Sequence, residues 1–170
     1  RSYFESEDFN IQYSTASADA TKLERLYLIR DLIKEDDFFL TYGDDICKID
    51  INNLFQFHKN HGRIATLTTI KLKSDYGVLE IDEKSEYHKV TAFHEKPVLD
   101  YWINGGYYVL KKEIFDYFPD IIKDDFERDV LVKVAEDNEL MAYRYEGFWK
   151  SVNTLKDVME LENERQLLEK

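Results

Sequence analysis

Apolar residues recur along this chain with strand and helical periods in alternation. Residues 9–13 alternate and read as a short strand, and the small polar residues 14–20 read as a loop. Over 21–33, Leu23, Leu26, Leu28, Ile29, Leu32 and Ile33 fall at roughly helical spacing, with Asp19 or Thr21 as the cap. The run Phe38-Phe39-Leu40-Thr41-Tyr42 ends at Gly43 and predicts a central strand buried on both faces. A helix over 51–60 is followed by strands over 65–71, 77–82 and 90–95, then a strand within 102–110 backed by a helix over 111–118. A helix over 126–137, a strand over 140–146 and a long charged helix from 154 onward complete the pattern. Strands alternating with helices predict an α/β fold with a mostly parallel, Rossmann-like sheet covered on both faces. Ligands of such sheets bind beyond the carboxyl ends of the strands, so residues that follow strands are the ones to weigh.

Composition narrows this picture. A length of 170 residues suits one domain over 1–170. The net charge of -12 repels a nucleic-acid polymer, yet a divalent cation could still bridge acidic protein to a small phosphorylated ligand. The single Cys47 excludes an internal disulfide and fits a reducing, cytoplasmic setting; beside an apolar run it reads as a small hydrophobe rather than a nucleophile. No apolar stretch approaches a membrane span, so no membrane partner is expected. The 12 Tyr and 11 Phe suit half-wet pockets and subunit contacts, which points to a homo-oligomer.

Four stretches could carry chemistry. Leu40-Thr41-Tyr42-Gly43-Asp44-Asp45 sets a carboxylate at a strand end, a hard oxygen ligand suited to Mg²⁺. Phe93-His94-Glu95-Lys96-Pro97 pairs a carboxylate for sugar hydroxyls with an ammonium for phosphate oxygens. In Trp102-Ile103-Asn104-Gly105-Gly106, the glycines allow close backbone approach, Asn104 offers donor and acceptor, and Trp102 offers a flat face for a sugar or base. Glu146-Gly147-Phe148-Trp149 reads as a pocket wall ahead of a helix capped by Asn153 or Thr154. Taken singly, each has an ordinary reading: a strand-to-helix turn, a surface ion pair, a β-bulge or Asn-Gly hairpin, and an N-cap.

Their order and spacing, with Tyr76-Gly77-Val78-Leu79 between the first and second, resemble bacterial sugar-1-phosphate nucleotidyltransferases. Trp-Ile-Asn-Gly-Gly and Gly-Phe-Trp look particularly like the glucose-1-phosphate cytidylyltransferase branch. The resemblance is good over 38–162 and poor over 1–37. It implies the nucleotide-diphospho-sugar transferase fold, incomplete at the N-terminus. The implied reaction joins a nucleoside triphosphate, CTP by branch, to a sugar 1-phosphate, glucose 1-phosphate by default, and releases pyrophosphate for nucleotide-sugar and surface-polysaccharide biosynthesis. It implies Mg²⁺ as cofactor, held by Asp44 and by the position of Asn153. It assigns catalytic roles to Asp44 and Lys96, sugar-phosphate binding to Glu95 and Lys96, and a sugar pocket to Gly77, Trp102, Asn104 and Gly105.

Two departures stand out. No glycine precedes Gly43, so the triphosphate-cradling loop of the family is missing from these residues, and the chain alone is expected to be inactive. Asn153 stands where the family carries a second metal carboxylate, which lowers the expected affinity for Mg²⁺. An inactive homologue serving as a ligand-binding or assembly subunit is the alternative, and a metal-dependent glycosyltransferase of related fold is a third reading.

Overall fold

The computed structural model describes residues 10–122 and 125–163; Phe9 and the end of the last expected helix lie outside them. Its helices are α1 (Lys22–Ile29), α2 (Ile51–His61), α3 (Val132–Glu136) and α4 (Leu155–Asn163). Its strands are β1 (Asp37–Thr41), β2 (Asp45–Cys47), β3 (Ala65–Lys73), β4 (Val78–Asp82), β5 (Lys89–His94), β6 (Val98–Lys111), β7 (Leu140–Arg144) and β8 (Trp149–Ser151). The central sheet runs β1-β6-β3-β7. β6 is antiparallel to both β1 and β3, while β3 and β7 are parallel. Hence β1, β3 and β7 share one direction, as a mostly parallel sheet requires, and β6 is inserted against them.

The sequence explains where the helices start and stop. Thr21, not Asp19, caps α1: its hydroxyl accepts the Glu24 N–H at 3.1 Å, and the Glu24 carboxylate accepts the Thr21 N–H at 2.7 Å. Asp50 caps α2 through the N–H groups of Asn52 and Asn53, and Gly62 (φ 69°) ends it in the left-handed region. α1 tightens into a 3₁₀ turn at Arg30–Leu32, and the expected helix behind β6 is also 3₁₀, over Lys112–Tyr117. Phe126–Leu131 is wound as a π-helix before α3; its wider turn brings Phe126, Val130 and Leu131 together as buried residues.

Packing follows the two faces of the sheet. Leu23 and Leu26 of α1, Ala65 of β3, Tyr108 and Leu110 of β6, and Phe126, Val130 and Val134 form one buried cluster. Each buried Leu, Val or Phe among them contributes roughly 1.5–3 kcal/mol by leaving water. On the opposite face α2 buries Leu54 and His58, the latter against Thr66 of β3.

Three expectations change. β1 is an outermost strand among the described residues rather than a central one, with a described sheet neighbour only on its β6 side, and Phe39 is 50% exposed. Residues 10–13 form no strand. β2 and β8, three residues each, pair into a separate antiparallel ribbon, and β4 with β5 forms a two-stranded arm.

Candidate functional site

The β2–β8 ribbon brings two distant motifs together. Asp45 lies opposite Ser151 and Cys47 opposite Trp149, and just beyond the ladder the Val152 N–H donates to the Asp44 carbonyl at 2.7 Å. Asp44 and Asn153 therefore sit at the same end of one ribbon, both exposed. Asn153 turns its amide Nδ2 to the Ser151 hydroxyl at 2.8 Å, while Thr154, rather than Asn153, caps α4 by accepting the Asp157 N–H at 3.2 Å.

Two clefts border this ribbon. One, of about 660 Å³, lies between α1 and the end of β1 and is lined by Lys22, Arg25, Leu26, Tyr42, Gly43 and Asp44 among others. The other, of about 760 Å³, takes Trp149, Lys150 and Ser151 from the ribbon and adds Lys71, Lys73 and Glu146. In the first, Arg25 is committed to holding the loop ahead of α1, since its guanidinium donates to the carbonyls of Ser17, Ala18 and Ala20 at 3.1–3.3 Å.

The glycine pair belongs to a bulge of β6, as one ordinary reading of the motif allowed. Leu67 pairs with Tyr108 and Thr69 with Asn104, so two residues of β3 face four of β6. Gly106 (φ 77°) has the Asp45 carboxylate where its Cβ would stand: Oδ2 would be 2.0 Å away. A Cβ at Gly105 would come 3.0 Å from the Thr68 carbonyl. The turn is tied down from both sides. The Trp149 indole N–H donates to the Gly105 carbonyl at 2.9 Å, and the Tyr42 N–H donates to the Gly106 carbonyl at 3.1 Å. Burial beside this turn pushes the Asp45 carboxyl up, against the pull of a hydrogen bond with Ser151.

The remaining expected sugar-site residues are placed differently from one another. Asn104 is bonded within the protein at both ends of its amide: Oδ1 accepts the Gly106 N–H at 2.8 Å and Nδ2 donates to Tyr108 at 2.5 Å. Half-buried Trp102 carries the Lys71 ammonium and the Arg144 guanidinium over its ring, each 5.5 Å from the centroid. Gly77 lies under the Phe93 ring, whose Cζ would be 2.4 Å from an added Cβ, so packing of the arm accounts for the glycine there. Glu95 and Lys96 are exposed where the arm returns to β6, Lys96 with φ 46°, and neither cleft's lining includes them.

Sequence reasoning missed a polar cluster under the first cleft. The Tyr42 hydroxyl bonds Glu127 at 2.5 Å and Tyr108 at 2.9 Å, and Glu127 also pairs with Lys22, whose ammonium lies 4.4 Å from the Tyr42 ring centroid. Burial pushes the Tyr108 hydroxyl up to about 12, and Tyr42 further, so both stay protonated. These partners lie 66 and 85 positions apart, and only the high tyrosine count hinted at them.

The donor set at the ribbon end fits Mg²⁺ in a limited way. Among the described residues no group of three or more His, Cys, Asp or Glu could hold a metal ion. One carboxylate, Asp44, and one amide oxygen, from Asn153, match an ion that draws its other ligands from water and substrate phosphates.

Fold and site together define an α/β domain in which one short ribbon lines one cleft and its neighbouring residue Asp44 lines another. The chain belongs to the nucleotidyl transferase family, whose sequence pattern matches residues 2–166, and its relatives there are sugar-1-phosphate nucleotidyltransferases. It is 38% identical over 143 residues to a glucose-1-phosphate cytidylyltransferase of Salmonella typhi, covering 81% of this chain and 52% of that one. It is 34% identical over 155 residues to a "Probable glucose-1-phosphate cytidylyltransferase" of Bacillus subtilis (strain 168), covering 91% of this chain and 59% of that one. The chain thus spans little more than half the length of these relatives. In fold it is similar to the crystal structure of HddC from Yersinia pseudotuberculosis, with a TM-score of 0.65 at 19% identity over 94% of this chain and 69% of that one.

Among the described residues no helix is long and apolar enough to cross a membrane.

Proposed function

We propose that the full protein transfers a nucleotidyl group from a nucleoside triphosphate, CTP foremost, to a sugar 1-phosphate, glucose 1-phosphate foremost, and releases pyrophosphate. The observation that carries this reading is that Asp44, in the lining of the first cleft, and Asn153 lie just beyond the same end of a ribbon whose β8 strand lines the second cleft. A cleft of about 660 Å³ is of a size for a nucleotide. The chemistry needs no covalent enzyme intermediate: a phosphate oxygen of the sugar attacks the α-phosphorus in line, and the bond to the β-phosphate oxygen breaks as pyrophosphate leaves. The protein's part is to position the two ligands and to neutralise charge. Asp44 and the Asn153 carbonyl would hold Mg²⁺, which when bound supplies charge neutralisation at the phosphates. Lys96, with Glu95 on the sugar hydroxyls, would reach the acceptor phosphate from the base of the arm. Leu79, Ile81, Val90 and Phe93, all exposed on that arm, support a homo-oligomer.

Pyrophosphate release from the full-length protein supplied with CTP, glucose 1-phosphate and Mg²⁺ tests the reading, and turnover is the expected result. No turnover with any common nucleoside triphosphate would overturn it. It would favour the inactive ligand-binding or assembly homologue instead, the reading that the uncharged Asn153 supports.

A further inference from the structure

The polar cluster under the first cleft has a single possible direction. The Tyr42 hydroxyl gives its proton to Glu127, so in the contact between the two tyrosines it can only accept, and the Tyr108 hydroxyl donates. Tyr108 in turn accepts from the Asn104 amide, and the Asn104 oxygen accepts the Gly106 N–H. Every donor from Gly106 through Asn104, Tyr108 and Tyr42 therefore points toward one carboxylate, Glu127, which also holds Lys22 at the cleft. Bonds aligned in this way polarise one another, and an anionic terminus strengthens the last of them. Tyr108 is completely buried and lines neither cleft. Its hydroxyl nonetheless joins Tyr42 of the cleft wall to Asn104 beside the bulge, alongside the direct bond from the Tyr42 N–H to the Gly106 carbonyl.

Resting on the two-cleft reading above, we infer that Tyr108, with Glu127 as anchor, is a positioning residue that sets the Tyr42-Gly43-Asp44 turn against the Gly105–Gly106 bulge. Both ends of the chain touch site residues. Tyr42 is two positions before Asp44 and bonds the Gly106 carbonyl through its own N–H. At the other end, Gly106 is seated against Asp45, and Gly105 carries the Trp149 indole from the wall of the second cleft. Removing the Tyr108 hydroxyl leaves Tyr42 without its donor and Asn104 without its acceptor, while the ring keeps its place in the core.

The test uses the full-length protein and the Trp149 indole N–H as a reporter of the bulge. Its NMR resonance is assigned by comparison with Trp149→Phe. In Tyr108→Phe that resonance is expected to shift, and kcat to fall about tenfold with KM for the triphosphate little changed, roughly 1.4 kcal/mol of transition-state positioning. Tyr42→Phe, cut one link closer to the cleft, should move the same resonance, and it serves equally if Tyr108→Phe does not fold. An unmoved Trp149 resonance in a folded variant would overturn the inference. So would a shifted resonance accompanied by unchanged kcat in an active enzyme. If the wild type shows no turnover at all, the catalytic reading fails separately, and the resonance still decides whether the chain sets the bulge.

Discussion

Acidification should loosen the α2 side of the sheet sharply, because two histidines there are wired as neutral rings. His58 is fully buried; its Nε2 faces Asp37 at 3.2 Å and its Nδ1 faces the Thr66 hydroxyl at 2.7 Å. The same hydroxyl meets His61 Nε2 at 2.7 Å, and His61 Nδ1 accepts the Arg63 N–H at 2.9 Å. One arrangement satisfies them all: His61 donates to Thr66, Thr66 donates to His58, and His58 donates to Asp37. A further proton on either ring would meet a donor already in place. Burial pulls the His58 pKa down, opposed by Asp37 and aided by the charges of His61 and Lys111; burial, Lys111 and Arg63 pull His61 down against Glu139. Burial pulls Asp37 up, but its bonds with Lys59 and His58 prevail and hold it low. A histidine lowered in the fold takes its proton first in the unfolded chain. The stability it contributes is therefore whole above about pH 6.5 and drains as pH falls toward the folded pKa. The slope is at most ~1.4 kcal/mol per pH unit per proton, so two rings that stay neutral give at most ~2.7 kcal/mol per pH unit. Asp37 acts in the same sense only at lower pH. Urea unfolding at intervals between about pH 8 and about pH 5 reads the slope, and His58→Gln with His61→Gln should flatten it. A change below about 0.5 kcal/mol over that window in the wild type would refute the neutral wiring.

Two substitutions probe the ribbon. Gly106→Ala should destabilise by roughly 2–4 kcal/mol in thermal or urea melts, since it combines a left-handed backbone with a Cβ 2.0 Å from the Asp45 carboxylate. A loss within about 0.5 kcal/mol would mean that the turn opens freely. Asn153→Asp should tighten Mg²⁺ binding by adding a second carboxylate beside Asp44, measured by calorimetry with the metal alone; unchanged affinity would remove the position from the ligand set.

Much of the fold was legible because its signals are local. The period of Leu23 and Leu26 announced α1, and the dense β-branched run from Ala65 announced β3. What escaped depended on partners far away in sequence. Phe38 to Tyr42 is as apolar as a central strand, and nothing in its own residues says that, among the described residues, only β6 lies beside it. Three-residue β2 and β8 are too short to show a period. At the site, resemblance pointed to Asp44, Asn104 and Gly105, but no local signal showed that Asn104 would spend both ends of its amide on neighbours. Gly77 read as a ligand contact, while its space is taken by Phe93 from the facing strand. Glu127 gave no sign at all, since a glutamate at the start of a helix is ordinary until Tyr42 and Lys22 are seen to converge on it.

The bulge in β6 also constrains how this chain can change in length. Four residues there span the interval that two occupy on β3, an excess of two. Because side chains alternate sides along a strand, an even excess returns Trp102 and Asn104 to the same side as Tyr108 and Leu110. Losing or gaining a single residue would turn one half of β6 inside out, sending Trp102 and Asn104 to the α2 side. Length variants at this point should therefore survive only in steps of two, a parity rule imposed by the strand and independent of which ligands the clefts receive.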